Sequence, residues 1–190
     1  MKKIKLHLGC GKRYLPGYTH IDIDNEPHID YPNTDISDLK IFKTNTVDVI
    51  YSCGNFEYFD RSKAPNVLKE WNRILKPGGH LYISVPDFES IIRVYLENGK
   101  NIEGEGILGP IFGKWEYTNK NKISEFIYHK TVYDFKSLSK MLYKCNYDNI
   151  EKYDCWEFLP NEFDDFSKAY VPYKDKNGIQ ISVNIKCQKV

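Results

Sequence analysis

Residues 6–24, LHLGCGKRYLPGYTHIDID, constrain the fold more than any other part of the chain. A short apolar run, residues 4–8, ends at Gly9-Cys10-Gly11, and a second run, residues 20–24, closes on an acidic pair, Asp22 and Asp24. Brief apolar runs bounded by glycine read as buried strands. Parallel neighbours are usually joined through a helix, yet Pro16 and Gly17 occupy the place where that helix would pack. The spacing therefore predicts strand, glycine loop and strand, with a turn-rich connection between them.

The loop does not suit a pyrophosphate. A dinucleotide fingerprint needs G-x-G-x-x-G, a helix N-terminus for the phosphates and an acid about 20 residues on. Here Tyr14 takes the place of the last glycine, and Asp22 follows Gly11 by only 11 residues. A ligand without phosphate removes the need for the helix. S-adenosylmethionine asks for close backbone approach, a carboxylate for its ribose and a pocket for adenine. Gly9 and Gly11 offer the first, and Asp22 or Asp24 the second. Asp35, in TDISDL, can accept from the adenine amino group while Ile36 packs on the ring. Cys10 and Cys53 read as small pocket-lining residues, not nucleophiles.

Further along, VDVIYS (residues 47–52) predicts a third strand, followed by the loop CGNFEYFDR. Val67, Leu68, Trp71, Ile74 and Leu75 recur at helical spacing, predicting a helix over 64–75 with Ser62 as N-cap. Pro77 should stop it, and Gly78-Gly79 permit the turn. HLYISV (80–85) is the next strand, followed by a helix over 88–97. Alternation of strand and helix indicates an α/β fold with a parallel sheet. Residues 99–132 interrupt that rhythm with glycines but keep Ile111, Phe112 and Trp115. Those apolar anchors predict an insertion folded over the cleft as a substrate lid. A helix over 133–144 and a last alternating strand over 180–186 complete the pattern, and residues 156–176 receive no place in it.

Composition excludes several classes. At 190 residues the chain is the size of one domain, read as residues 1–190 with no second unit. The formal net charge of +1 provides no field for nucleic acid or an anionic membrane. Five scattered cysteines without C-x-x-C spacing argue against disulfides and a zinc site, and no metal ligands are expected. Without a signal peptide or an apolar run of about 20 residues, the expectation is a cytoplasmic protein.

The stretches LHLGCG, THIDID, TDISDL, VDVIYS and VLKEWNRILKPGGHLYISVPD resemble the class I S-adenosylmethionine-dependent methyltransferases. More narrowly, and with the looser GPIFGKW and YHKTVYDFKSLSKML, the chain resembles small methyltransferases linked to bacterial surface-polysaccharide genes. The resemblance implies a Rossmann-like sheet of seven strands, mostly parallel, with the last antiparallel. It also implies O-methylation of a sugar or sugar nucleotide, and a homo-oligomer is compatible with it. A methyltransferase for another small metabolite, or a non-catalytic partner subunit, is the alternative. His7 replaces the acid usual two places before the glycine loop, Arg13 its third glycine, and Gly54 and Tyr58 two histidines of the motif loop.

Methyl transfer to an alcohol benefits from a general base, and histidine suits neutral pH. His129 ends the insertion and matches a histidine of the relatives, so it is the expected base. Asp87 ends a strand at the carboxyl edge of the sheet, where α/β clefts lie. It is expected to orient the acceptor or help hold a divalent ion, as some sugar O-methyltransferases require, or else to cap the helix beginning at Phe88. Glu57 and Tyr58 in the motif loop, and Trp115 and Tyr128 in the insertion, are the expected acceptor contacts.

Overall fold

The computed structural model describes residues 3–173 and 175–190. Its central sheet has six strands, in the spatial order Thr19–Ile21, Lys5–Leu8, Val47–Cys53, Leu75–Pro86, Ser182–Lys189 and Tyr147–Lys152. In chain order the elements are β1 (Lys5–Leu8), β2 (Thr19–Ile21), β3 (Val47–Cys53), α1 (Ala64–Ile74), β4 (Leu75–Pro86) and α2 (Phe88–Glu97). Then come α3 (Leu108–Phe112), β5 (Lys114–Thr118), β6 (Ser124–Tyr128), α4 (Phe135–Lys144), β7 (Tyr147–Lys152) and α5 (Cys155–Phe158). The chain ends in β8 (Tyr170–Val171), β9 (Ile179–Gln180) and β10 (Ser182–Lys189).

Strands β2, β1, β3 and β4 are parallel, and β10 runs antiparallel between β4 and β7. The mostly parallel α/β sheet with an antiparallel last strand is thus observed, but with six strands among the described residues instead of seven. Between β2 and β3 the chain makes turns with no regular element. Its prolines, glycine-like asparagine (Asn33, φ +52) and side-chain-capped turns supply local backbone partners in place of a ladder. The connection from β1 to β2 likewise contains no helix, as Pro16 and Gly17 imply.

Helix α1 forms because Val67, Leu68, Trp71 and Ile74 share one face, and all are buried against the sheet. The expected Ser62 cap is replaced. Asp60 accepts from the backbone N–H groups of Ser62 and Lys63 at 2.9 and 3.1 Å, so the turn before the helix is closed by the earlier residue. The helix stops at Ile74, and residues 75–79 join β4 through a register irregularity, with Gly78 at φ +76. Two long-range bonds from α1 position the loop after β2. Trp71 Nε1 donates to Ile36 O at 2.8 Å, and Leu39 N donates to Glu70 Oε1 at 2.9 Å.

Alternation along β3 divides the two faces of the sheet. Ile50 joins the cluster under α1 and α4, whereas Tyr51 faces the other way, into a cluster with Leu15, Cys155, Leu159 and Phe163. The segment 153–168 therefore covers the second face, with Tyr82 and Phe158 stacked at 3.9 Å. Lys168 stays buried because its ammonium donates to the carbonyls of Pro160 and Phe163 at 2.9 and 2.6 Å.

Candidate active site

A cavity of about 580 Å³ opens at the carboxyl ends of β1, β2 and β3. That size lies within the usual range for a small-molecule site, roughly 300–1,000 Å³. Its wall includes Gly9, Cys10, Gly11, Asp22, Asp35, Ile36, Cys53, Tyr58 and Trp115, nine of the residues expected from the sequence.

The glycine loop is shaped by two left-handed residues, Gly9 at φ +64 and Gly11 at φ +52. A Cβ on Gly9 would meet the Asn55 side chain at 2.5 Å, and one on Gly11 would meet Trp115 at 3.1 Å. Asn55 is fixed there: its Nδ2 donates to Leu8 O and its Oδ1 accepts from Ser52 Oγ, both at 2.7 Å. The bare backbone of the loop is therefore presented to the cavity between two packed side chains.

Asp22 braces the loop. Its Oδ2 accepts from Gly11 N at 2.7 Å and its Oδ1 from Asp24 N at 2.8 Å. Burial raises its pKa, opposed by the backbone donors. Asp24, expected beside it, does not line the cavity. Strand β2 ends at Ile21, so the alternation that would place both acids on one edge stops short. Asp24 instead accepts from Asn25 N and, at 3.3 Å, from Thr118 N of the hairpin. Asp35 reaches the wall from an exposed turn, where its Oδ1 accepts from Ser37 N at 2.8 Å. Burial pushes the Cys10 thiol up to about 12 and the Cys53 thiol well above its ordinary value, so neither is a thiolate.

Part of the segment 99–132 borders this cavity, through Trp115, Ile127 and Lys130. Strands β5 and β6 pair as a hairpin with Trp115 opposite Ile127, and both face inward to the cavity. Period-two alternation turns the next residue outward, so Tyr128 is 52% exposed and absent from the wall. The structure thus does not bring Tyr128 together with the other expected acceptor contacts, Tyr58 and Trp115, on the wall.

His129 is held elsewhere too. Its Nδ1 lies 2.8 Å from Pro110 O, which can only accept, so Nδ1 carries the proton. The Nε2 lone pair then faces Glu57 Oε1 at 3.6 Å, longer than a hydrogen bond. Burial lowers the pKa of His129 and raises that of Glu57 to about 8, so near neutrality both partners are uncharged. Neither ring nitrogen faces the cavity, and Glu57 itself is buried behind the wall. Their backbones tie the end of the hairpin down: Lys130 N donates to Glu57 O, and His129 N to Gly113 O. Asp87 is likewise off the wall. It holds the N-cap position of α2, but its side chain caps no backbone N–H of the helix: Oδ2 accepts from Ser90 Oγ at 2.9 Å.

Sequence reasoning missed several wall residues: His7, Arg13, Asn55, Asp60, Lys63, Asn66, Lys130 and Asp165. Asp165 had no local signal, because it lies 114 positions from its partner Tyr51. Among the described residues, no group of three or more His, Cys, Asp or Glu side chains is placed to hold a metal ion.

Residues 6–83 match the family of methyltransferase domains. That span runs from within β1 to within β4 and includes every expected cofactor contact. The matched residues are a methyltransferase domain, which supports S-adenosylmethionine-dependent methyl transfer as the activity of this chain. Solved structures agree in fold. An S-adenosylmethionine-dependent methyltransferase from Methanosarcina mazei aligns over 100% of this chain and 94% of its own, at 18% identity and a TM-score of 0.52. The 1,6-didemethyltoxoflavin-N1-methyltransferase of Burkholderia thailandensis, solved with 1,6-didemethyltoxoflavin and S-adenosylhomocysteine, aligns over 98% and 71% at 13% identity and 0.54. A Thermotoga maritima S-adenosylmethionine-dependent methyltransferase, described as a possible histamine N-methyltransferase, aligns over 100% and 84% at 16% identity and 0.54. No curated protein matches the chain. No helix among the described residues is long and apolar enough to cross a membrane.

The wall of the enzyme fits its cofactor. A loop stripped of Cβ atoms, a carboxylate at the end of β2 and an apolar residue beside Asp35 match the adenosyl group without any phosphate site. S-adenosylmethionine, when bound, supplies a sulfonium-activated methyl group ready for in-line displacement.

Proposed function

We propose that the enzyme O-methylates a hydroxyl of a sugar or sugar nucleotide, a precursor of a surface polysaccharide, in the cytoplasm. The observation that carries this reading is the composition of the wall under the lid. Trp115 and Tyr58 offer aromatic faces, and Asn55, Asp60, Asn66, Lys63 and Lys130 stand around them as hydrogen-bonding and cationic groups. Ring faces combined with short polar groups suit a polyhydroxylated ring, and the two lysines suit a phosphorylated carrier attached to it.

In this reading the chain is one domain, with residues 99–132 as the lid. Gly9 and Gly11 let the backbone approach the cofactor, and Asp22 accepts from the ribose hydroxyls with the lone pairs its backbone donors leave free. Asp35 accepts from the adenine amine, with Ile36 against the ring. Cys10 and Cys53 fill space as neutral thiols. The protein's contribution to the reaction is then alignment and exclusion of water, through closure of Trp115 and Ile127 over the glycine loop. His129 positions the lid through Pro110 and Glu57, and takes no proton from the acceptor in this arrangement.

Incubation of the protein with methyl-labelled cofactor and a panel of sugar nucleotides, followed by mass spectrometry, tests the assignment. A sugar nucleotide that gains one methyl group supports it. Labelling confined to heteroaromatic metabolites, which the same aromatic walls can hold, would replace the sugar with another small acceptor. Activity that falls steeply with salt would indicate a nucleic-acid substrate and overturn the reading.

A further inference from the structure

Four carboxylates line the cavity, and three are accounted for by the assignment above or by their own turns. Asp22 and Asp35 stand at the adenosine end, and Asp60 closes the turn before α1. Asp165 remains. It is only 6% exposed, and it enters from the opposite end of the chain, at the N-terminus of a single 3-10 turn formed by residues 166–168.

We propose that Asp165 binds the α-ammonium of the cofactor's amino-acid tail. The inference rests on the placement of S-adenosylmethionine in this cavity. Three donors hold the carboxylate in place: Ser167 N and Oγ on Oδ1, at 2.9 and 2.5 Å, and the Tyr51 hydroxyl on Oδ2. Burial keeps the Tyr51 phenol protonated, so it donates. A carboxylate accepts about four hydrogen bonds; only the weakly donating Cys53 thiol stands beside the remaining position.

No cation among the described residues takes that position. The nearby Lys168 is spent on the carbonyls of Pro160 and Phe163, and Arg13 Nε donates to Asp164 O at 2.8 Å. His7, on the same wall, is driven down to about 3 by burial and is neutral, so it neither pairs with Asp165 nor repels a cation. A buried carboxylate facing a cavity is costly unless a cation meets it there.

The layout of the sheet places the right end of the ligand at this point. Asp22 follows β2 at the edge of the sheet, β1 lies next to it, and Asp165 lies beyond, against Tyr51 and Cys53 of β3 and the adjoining Gly54. A donor laid across the glycine loop with its ribose at Asp22 therefore carries its tail toward Asp165. A site for a cationic amino group is formed there by a carboxylate distant in sequence from the glycine motif.

Calorimetric titration separates this role from a structural one. S-adenosylhomocysteine carries the amino-acid tail, its des-amino analogue lacks only the ammonium, and 5′-methylthioadenosine lacks the tail. In the wild-type protein, removing the amino group should weaken binding ten- to a hundred-fold, the range of a charge-assisted hydrogen bond. Asp165→Asn should lose the same factor for S-adenosylhomocysteine, bind its des-amino analogue as the wild type does, and hold 5′-methylthioadenosine within twofold. Equal affinity of wild type for the amino and des-amino ligands overturns the proposal, with or without a folded variant. So does a variant that loses all three ligands alike, which would make Asp165 a scaffold residue. Failure of folded wild-type protein to bind S-adenosylhomocysteine at all overturns the cofactor placement beneath it, a result distinct from either.

Discussion

Replacing Gly9 by alanine perturbs the loop at its tightest point. The new Cβ would lie 2.5, 2.7 and 2.8 Å from Nδ2, Cγ and Cβ of Asn55, so the whole asparagine side chain has to leave. Its departure breaks the bonds to Leu8 O and from Ser52 Oγ. At about 1 kcal/mol net each, those two bonds account for roughly 2 kcal/mol. Holding a non-glycine residue at φ +64 adds about 1–2 kcal/mol. The expected destabilisation is therefore about 3–4 kcal/mol, a large fraction of the roughly 5–15 kcal/mol available to a domain. Urea unfolding at constant m-value measures it.

The same geometry makes a sharper demand. Asn55→Ala alone should cost about 2 kcal/mol, because it removes the same two bonds. The double variant should cost no more than Gly9→Ala alone, since the clash has lost its object while only the backbone strain is added. Destabilisation by Gly9→Ala below about 0.5 kcal/mol, the scale of an ordinary surface change, would refute the packing argument. Strict additivity of the two substitutions would do the same.

Other expectations follow from the lid and its fastening. Glu57 titrates near 8 in the folded protein, above its ordinary 4.5, so the folded state holds its proton more tightly than the unfolded state. Stability should fall as pH rises from about 4.5 toward 8 and then level, and Glu57→Gln should flatten that slope. Thermal melts across this range check it, and a melting temperature equally pH-dependent in both proteins would count against the neutral Glu57–His129 contact. Trp115→Ala should weaken S-adenosylhomocysteine about tenfold, equivalent to about 1.4 kcal/mol of lost cover. Tyr128→Ala, on the outward face of the same hairpin, should leave that affinity within twofold, and calorimetry on the pair decides whether the register is right. Iodoacetamide should leave the native protein's cofactor binding intact, because the Cys10 and half-buried Cys53 thiols stay protonated, and rapid inactivation would contradict their raised pKa values.

The sequence by itself determined the features that depend on neighbours along the chain. Strand β1, the glycine loop and the acid after β2 follow from a short apolar run, two glycines and a connection that Pro16 and Gly17 keep free of helix. Helix α2 falls at residues 88–97, as periodicity and the preceding Pro86-Asp87 indicate. For the same reason Gly9, Cys10, Gly11, Asp22 and Cys53 meet in one cavity, since each lies at or just beyond a strand end. Tertiary structure alone decided what depends on packing between distant segments. His129 turns to Pro110 and Glu57, Asp24 to the hairpin, and Tyr128 to solvent, because hairpin register and lid contacts set their directions. Asp165 reaches the wall because Tyr51 points away from α1 and the buried Lys168 folds residues 159–168 around it. No local pattern encodes that meeting: backbone propensity acts over a few residues, whereas the contact between Tyr51 and Asp165 exists only after the second face of the sheet has been covered.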